Sequence, residues 1–267
     1  MSYFTFSDVF RLSFALLGVI SIIAFCLFIF RKICECKKNY DKNKLPKNNI
    51  IPIIHSTNPS IGDDDMITIG THMDFVKAYE KVDKTKDIDI IMHTVGGELS
   101  SAEAICNCIT NHQSKYTSKI NVYIPYYSYS GGCMIALACD KIIILRNAIL
   151  GPCDAQIYVT SRHSIAAIIN TVDYKKSKEE KIDENWLASS YDAQLCKERQ
   201  LEYVNKLIKF GKFNDNVGKT IYDEFFSGKH NHDKIFSAQE VKDLGLNVEI
   251  VDELPYCIKT IVDTIKN

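Results

Sequence analysis

Proline and glycine are scarce in this chain, at six and twelve of 267 residues, and tryptophan occurs once. So few turn-formers exclude collagen-like and low-complexity proteins, and 46% hydrophobic residues are enough to bury a core. A surplus of charge is missing too, since the formal net charge is −1. That balance conceals an asymmetry: residues 1–47 carry +5 and residues 48–267 carry −6. An acidic body lacks the basic face that bulk nucleic-acid binding needs. Neither phosphate-loop fingerprint, GxGxxG or GxxxxGK[ST], occurs. The closely spaced cysteines, Cys34-Glu-Cys36 and Cys106-Asn-Cys108, do not have the usual spacing of zinc pairs, and nothing suggests a disulfide-stapled mini-fold.

A long apolar run is present. Leu12–Phe30 (LSFALLGVISIIAFCLFIF) holds nineteen residues without a charge. As a helix it spans about 28 Å, close to the thickness of a bilayer's hydrocarbon core. A secretory signal fits less well, because the run exceeds the usual apolar core of about 7–15 residues and no small-x-small cleavage site follows it. A buried core helix would ordinarily show a polar face. Arg11 alone precedes the run, whereas Arg31, Lys32, Lys37, Lys38, Lys42, Lys44 and Lys47 follow it. The positive-inside bias therefore predicts a single-pass anchor with the C-terminal side in the cytosol. The expected organisation is an anchor with its basic flank over 1–38, a polar Lys/Asn-rich linker over 39–49 and a folded domain over 50–267.

Within that domain apolar runs alternate with helical spacings. Strands are expected at Ile50–Ile54, Ile88–Met92, Ile120–Ile124 and Lys141–Leu145, with helices at Met73–Val82, Ser100–Asn111 and Ser130–Cys139 between them. This βαβαβ order predicts an α/β fold with a mostly parallel sheet. Helices are also expected at Ile165–Thr171, Asn185–Phe210, Asn216–Phe226 and Ser237–Leu244, and a strand at Val248–Val251.

Two consecutive strand-to-helix turns each carry a glycine pair, Gly96-Gly97 in HTVGGE and Gly131-Gly132 in SYSGG. In a parallel sheet both turns fall at the carboxyl edge, where open α/β folds place their sites. Glycine there lets backbone N–H groups approach a ligand, and a helix N-terminus adds unsatisfied donors. Ser130 then has what acyl chemistry requires: its hydroxyl attacks while the N–H groups of Gly97 and Gly131 hold the oxyanion. The competing expectation is that Ser130 merely caps its helix and the glycines merely permit tight turns.

The runs IIMHTVGGELSSAEAI, VYIPYYSYSGGCMIALACDKIIILRNAILGPCDAQI and FFSGKHNHDKIFSAQEVKDLGLNV resemble the serine dehydrogenase proteinase family, membrane-anchored relatives of signal peptide peptidase A with the Clp/crotonase fold. The resemblance spans about residues 48–255. It implies that Ser130 is the nucleophile, that Gly96 and Gly97 are the glycines of the family's HTPGG motif (here with Val95 in place of proline), and that Gly131 lies in the oxyanion turn. Gly151–Gln156 matches the family's LGPxDPQ segment, where Clp proteases place a histidine that this chain lacks. Asp154 in that segment is a candidate for orienting a neighbour or a substrate amide. The resemblance therefore implies a Ser–Lys dyad, with Lys176 the first candidate for the base and Lys175 the second. His230-Asn231-His232-Asp233 matches the family's THD segment, where a turn with an Asp cap competes with metal binding. The implied protein hydrolyses peptide bonds, uses no cofactor or metal, and assembles into oligomers, with the long helix at 185–210 a candidate contact. Alternatives are an inactive membrane scaffold of the same fold, a crotonase-type acyl-CoA enzyme, and a hydrolase that works without a lysine.

Overall fold

The computed structural model describes residues 32, 49–55 and 65–263. The expected membrane helix Leu12–Phe30 and all but the last residue of the expected linker lie outside them. Among the described residues no helix is long and apolar enough to cross a membrane. Among the described residues, 49–55, 65–254 and 258–263 belong to one compact unit, which carries the architecture that follows.

Its centre is a five-stranded sheet in the order β1 (Ile50–Ile54), β2 (Ile88–His93), β3 (Ile120–Ile124), β5 (Lys141–Leu145) and β10 (Val248–Val251). Every pairing is parallel. The three inner strands read as near-continuous apolar runs because helices cover the sheet, so that Ile88, Ile90, Ile91, Val122, Ile124 and Ile144 are all buried. Proline appears only on the edge, where Pro52 of β1 is exposed. An edge strand tolerates the missing N–H donor.

Helices α1 (Ile69–Lys81) and α2 (Leu99–Lys115) follow β1 and β2. Helix α3 (Gly131–Ala138) is buried at all eight positions, as its sequence GGCMIALA, with no polar side chain, requires. Tyr203 fastens it to the long helix α5 (Glu184–Lys209) by donating from Oη to the Met134 carbonyl at 2.7 Å. Helix α4 (Ile165–Ser177) runs almost two turns beyond its expected end at Thr171, because Val172 keeps the apolar spacing and is buried. The expected helix at 216–226 is instead α6 (Asp215–Ile221) running into a π-helical turn, Tyr222–Phe226, which buries Phe225 and Phe226 together. Helices α7 (Ala238–Asp243) and α8 (Tyr256–Asp263) complete the order.

Two small elements have no counterpart in the sequence reading. Strands β4 (Tyr127–Ser128), β6 (Ile149–Leu150) and β9 (Phe236–Ser237) form a second sheet with β6 in the middle, parallel to β4 and antiparallel to β9. Strands β7 (Gln156–Tyr158) and β8 (Arg162–Ser164) form a hairpin. Strands of two or three residues are too short to leave a periodic signal.

Candidate active site

The two glycine turns meet. Ile67 forms a parallel bridge to Gly97. Its N–H donates to the Gly96 carbonyl at 2.7 Å, and its carbonyl accepts from Glu98 N at 2.8 Å. Thr94 bridges to Ser128 in the same way, and Tyr129 N donates to Thr94 O at 3.0 Å. The packing leaves no room for a side chain at either glycine. A β-carbon at Gly96, where φ is 100°, would stand 2.5 Å from Ser130 Cβ; one at Gly97 would stand 2.1 Å from the Ile67 carbonyl oxygen.

Ser130 has φ 48° and ψ −121°, a conformation L-residues rarely adopt. Such strain costs about 1–3 kcal/mol and persists only where the surroundings enforce it. Here Ser130 N donates to Pro152 O at 3.0 Å, Gly132 N to Tyr129 O at 2.8 Å, and Met134 N to Ser130 O at 3.1 Å. The Ser130 side chain makes no capping hydrogen bond. This removes the expectation that it serves as an ordinary helix cap, since capping is done by the side-chain oxygen.

Accounting for the donors around Ser130 isolates two. Gly96 N–H is taken by Thr94 Oγ1 at 3.0 Å, Glu98 N–H by Ile67, Ser130 N–H by Pro152 and Gly132 N–H by Tyr129. The N–H groups of Gly97 and Gly131 are left without an acceptor among the described residues. They are close together, since a β-carbon at Gly131 would lie 3.6 Å from Gly97 N. Two unpaired N–H groups beside a hydroxyl are the arrangement that holds an oxyanion.

All of these groups face one cavity of about 460 Å³. Its wall is apolar at Met66, Val95, Leu99, Met134 and Ile157, and polar at Glu98, Gln156, Arg162 and His232. Cys153 and Cys196 also line it. Burial pushes both thiols up, with Cys133 adding to the rise at Cys153 and Arg199 partly opposing it at Cys196. Protonated thiols are poor nucleophiles, which leaves the Ser130 hydroxyl.

Lys175 and Lys176 stand apart from this assembly. They occupy the last turn of α4, Lys175 half-buried and Lys176 exposed, and neither lines the cavity. Asp154 is 1% exposed, and its carboxylate accepts from Gln156 Nε2 at 2.7 Å and lies 2.8 Å from His232 Nδ1. His232 is the cavity residue that the sequence left without a role; the HNHD string marked its position but not its partner. His230 turns to Glu224 at 2.7 Å instead.

Behind the first glycine turn, His55 Nδ1 lies 2.7 Å from Thr94 Oγ1. Burial lowers the His55 pKa, partly offset by Asp65. His93 is 1% exposed between the rings of Tyr126 and Tyr127, and neither ring nitrogen has a hydrogen-bond partner among the described residues. Burial, and then the neighbouring His55, lower its pKa.

A parallel α/β fold with a strained serine beside two N–H groups that lack acceptors among the described residues is a framework that serine-hydrolase chemistry can use. Residues 4–264 match the family of ClpP-like SDH-type serine proteinases, and the chain belongs to that family. Two uncharacterized proteins of Methanocaldococcus jannaschii are similar to it. One is 33% identical over 182 residues, 68% of this chain and 59% of that protein; the other is 32% identical over 183 residues, 68% and 60%. The chain thus spans about three fifths of the length of these relatives. Among solved structures, a variant of the 1510-N membrane-bound stomatin-specific protease with serine replaced by alanine is similar at 15% identity and a TM-score of 0.47, covering 79% of this chain and 83% of that one. A second variant, with lysine replaced by alanine and a substrate peptide bound, gives 14%, 0.47, 77% and 75%.

Proposed function

We propose that this protein is a membrane-anchored serine peptidase in which Ser130 attacks the peptide carbonyl and the N–H groups of Gly97 and Gly131 hold the resulting oxyanion. The observation that carries this reading is the strained, uncapped Ser130 beside those two unpaired N–H groups. Strain of this kind, retained at a cavity, is what pre-organises a nucleophile. The apolar wall at Met66, Leu99, Met134 and Ile157 suits an apolar substrate side chain. Leu12–Phe30 anchors the chain, and the basic flank after it keeps the domain on the cytosolic side. Tyr191 and Leu195, one turn apart and exposed on α5, support self-assembly through that helix.

The base implied by the family resemblance is Lys176 or Lys175. Because neither lines the cavity of a single chain, a lysine dyad requires a neighbouring copy or a displaced α4 to deliver one. A crotonase-type acyl-CoA enzyme needs the same oxyanion turn but no nucleophilic hydroxyl, so the strain at Ser130 favours the peptidase.

The test is a serine-directed fluorophosphonate probe on the full chain in detergent. Ser130 labels in the wild type and Ser130→Ala abolishes labelling. An unlabelled, folded wild type leaves the inactive scaffold as the correct reading; acyl-CoA turnover unaffected by Ser130→Ala points to the crotonase chemistry.

A further inference from the structure

The first glycine turn is fixed from behind, by side chains that do not reach the cavity. The direction of the Gly97 N–H follows from the backbone of Gly96, and Gly96 is held at both ends. Its carbonyl accepts from Ile67 N at 2.7 Å, and its N–H donates to Thr94 Oγ1 at 3.0 Å. The first bond joins backbone to backbone and makes no demand on the side chain at 67. The second requires a hydroxyl at 94.

Thr94 is fully buried, and its side chain touches both turns. Oγ1 meets Gly96, while Cγ2 packs under Gly132, where a β-carbon would stand 2.3 Å from it. A buried hydroxyl that already accepts must still place its own proton. Among the described residues His55 Nδ1, at 2.7 Å, is the acceptor within reach. Burial lowers the His55 pKa, so the ring is neutral near pH 7, accepts at Nδ1 and carries its proton on Nε2. Nε2 lies 3.5 Å from Thr71 Oγ1 in the first turn of α1. Hydrogen bonds thus run one way, from Gly96 N–H through the Thr94 hydroxyl to His55. A hydroxyl that donates its proton accepts more strongly, so His55 tightens the hold on Gly96. Neither Thr94 nor His55 lines the cavity at Ser130; His55 faces a separate hollow between β1 and α1.

We infer that Thr94 and His55 are positioning residues for the oxyanion turn: the Thr94 hydroxyl, oriented by His55 Nδ1, holds Gly96 so that the Gly97 N–H stays aimed at the oxyanion. The assignment rests on the peptidase reading above and deepens it. A donor aimed in advance need not turn as charge develops, which is the source of its effect on rate. Gly96 needs such a hold. With φ at 100° and no side chain of its own, it can swing once its N–H is released.

The experiment measures fluorophosphonate labelling of the full-length chain in detergent against probe concentration, with folding followed by thermal melting. Thr94→Val keeps the packing under Gly132 and removes the hydroxyl, whereas Thr94→Ser keeps the hydroxyl and removes the methyl. Thr94→Val is expected to lower the maximal labelling rate about 10–100-fold with little change in the half-saturating concentration. Thr94→Ser should recover most of the wild-type rate. A residue that served packing alone would give the inverse order, with serine the slower, and that result overturns the assignment. His55→Phe, which keeps a ring and removes Nδ1, should slow labelling about tenfold, and His55→Asn should restore part of it through its amide oxygen. Wild-type-like labelling of folded Thr94→Val or His55→Phe overturns the assignment and leaves the peptidase reading standing. A folded wild type that does not label overturns the peptidase reading instead. Should Thr94→Val fail to fold, the two His55 variants decide the question.

Discussion

Ser130 combines two demands on one residue: a hydroxyl aimed at a cavity, and a backbone turned to φ 48°. The second is strain that glycine would not feel. Ser130→Gly is therefore expected to abolish activity yet raise unfolding stability by about 1 kcal/mol, measured by urea denaturation. Stability unchanged or lowered would mean that the surroundings do not impose the strain. Gly96 offers the opposite case. Its β-carbon would strike Ser130 Cβ at 2.5 Å and Tyr129 O at 2.8 Å, neither of them the flexible end of a side chain. Gly96→Ala should cost more than about 2 kcal/mol and abolish probe labelling, because Ser130 itself must move. The glycine pairs and the serine were legible in the sequence as a motif. The absence of a capping bond at Ser130 was not, because serine before a helix reads equally well as a cap.

Among the elements, α3 has the strictest requirements. A helix without an exposed face depends on what surrounds it, and Tyr203 is its one polar tie to α5, donating to Met134 O from a position 4% exposed. Tyr203→Phe removes the side-chain donor that this carbonyl has besides its own helix, and should lower stability by about 1 kcal/mol in the same assay, with labelling of Ser130 retained if the tie is purely structural. The inner strands were readable as unbroken apolar runs, and their parallel pairing followed from the helices between them. The three-stranded sheet of β4, β6 and β9 was not readable, since each strand has two residues. That sheet nevertheless brings Ser130 and His232 to one cavity, from positions about a hundred residues apart in the chain, and sets His232 against Asp154.

On the scale of the molecule, three buried histidines make stability depend on pH. His55, His93 and His112 are all held below the ordinary histidine value, first of all by burial. Below about pH 6.5 the unfolded chain binds protons that the folded chain does not, so stability rises with pH through that window and levels off above it. The thermal midpoint should fall as pH drops from 7 to 5. His93→Phe, which keeps an aromatic ring between Tyr126 and Tyr127 and removes the proton site, should make the fall shallower by up to about 1.4 kcal/mol per pH unit. An identical acid slope in the variant would show that His93 does not contribute. For the proposed anchor, removing residues 1–47 should release the protein from membranes into the soluble fraction with Ser130 still labelled; continued sedimentation with membranes would overturn Leu12–Phe30 as the attachment.

The sequence alone determined the run of uncharged residues ahead of a basic flank, the alternation of apolar strands with helices, and the two glycine turns around Ser130. These features are local, and each leaves a periodicity, a composition or a spacing that can be read without knowing what lies across the fold. The tertiary structure decided which groups share the cavity. It left the lysines of α4 at the far end of their helix, put His232 against Asp154, and turned Gly97 and Gly131 so that their N–H groups lack acceptors. Those outcomes depend on strand register and on which hydrogen bonds neighbouring segments have already taken, and contacts between distant segments leave no trace in the order of residues along the chain.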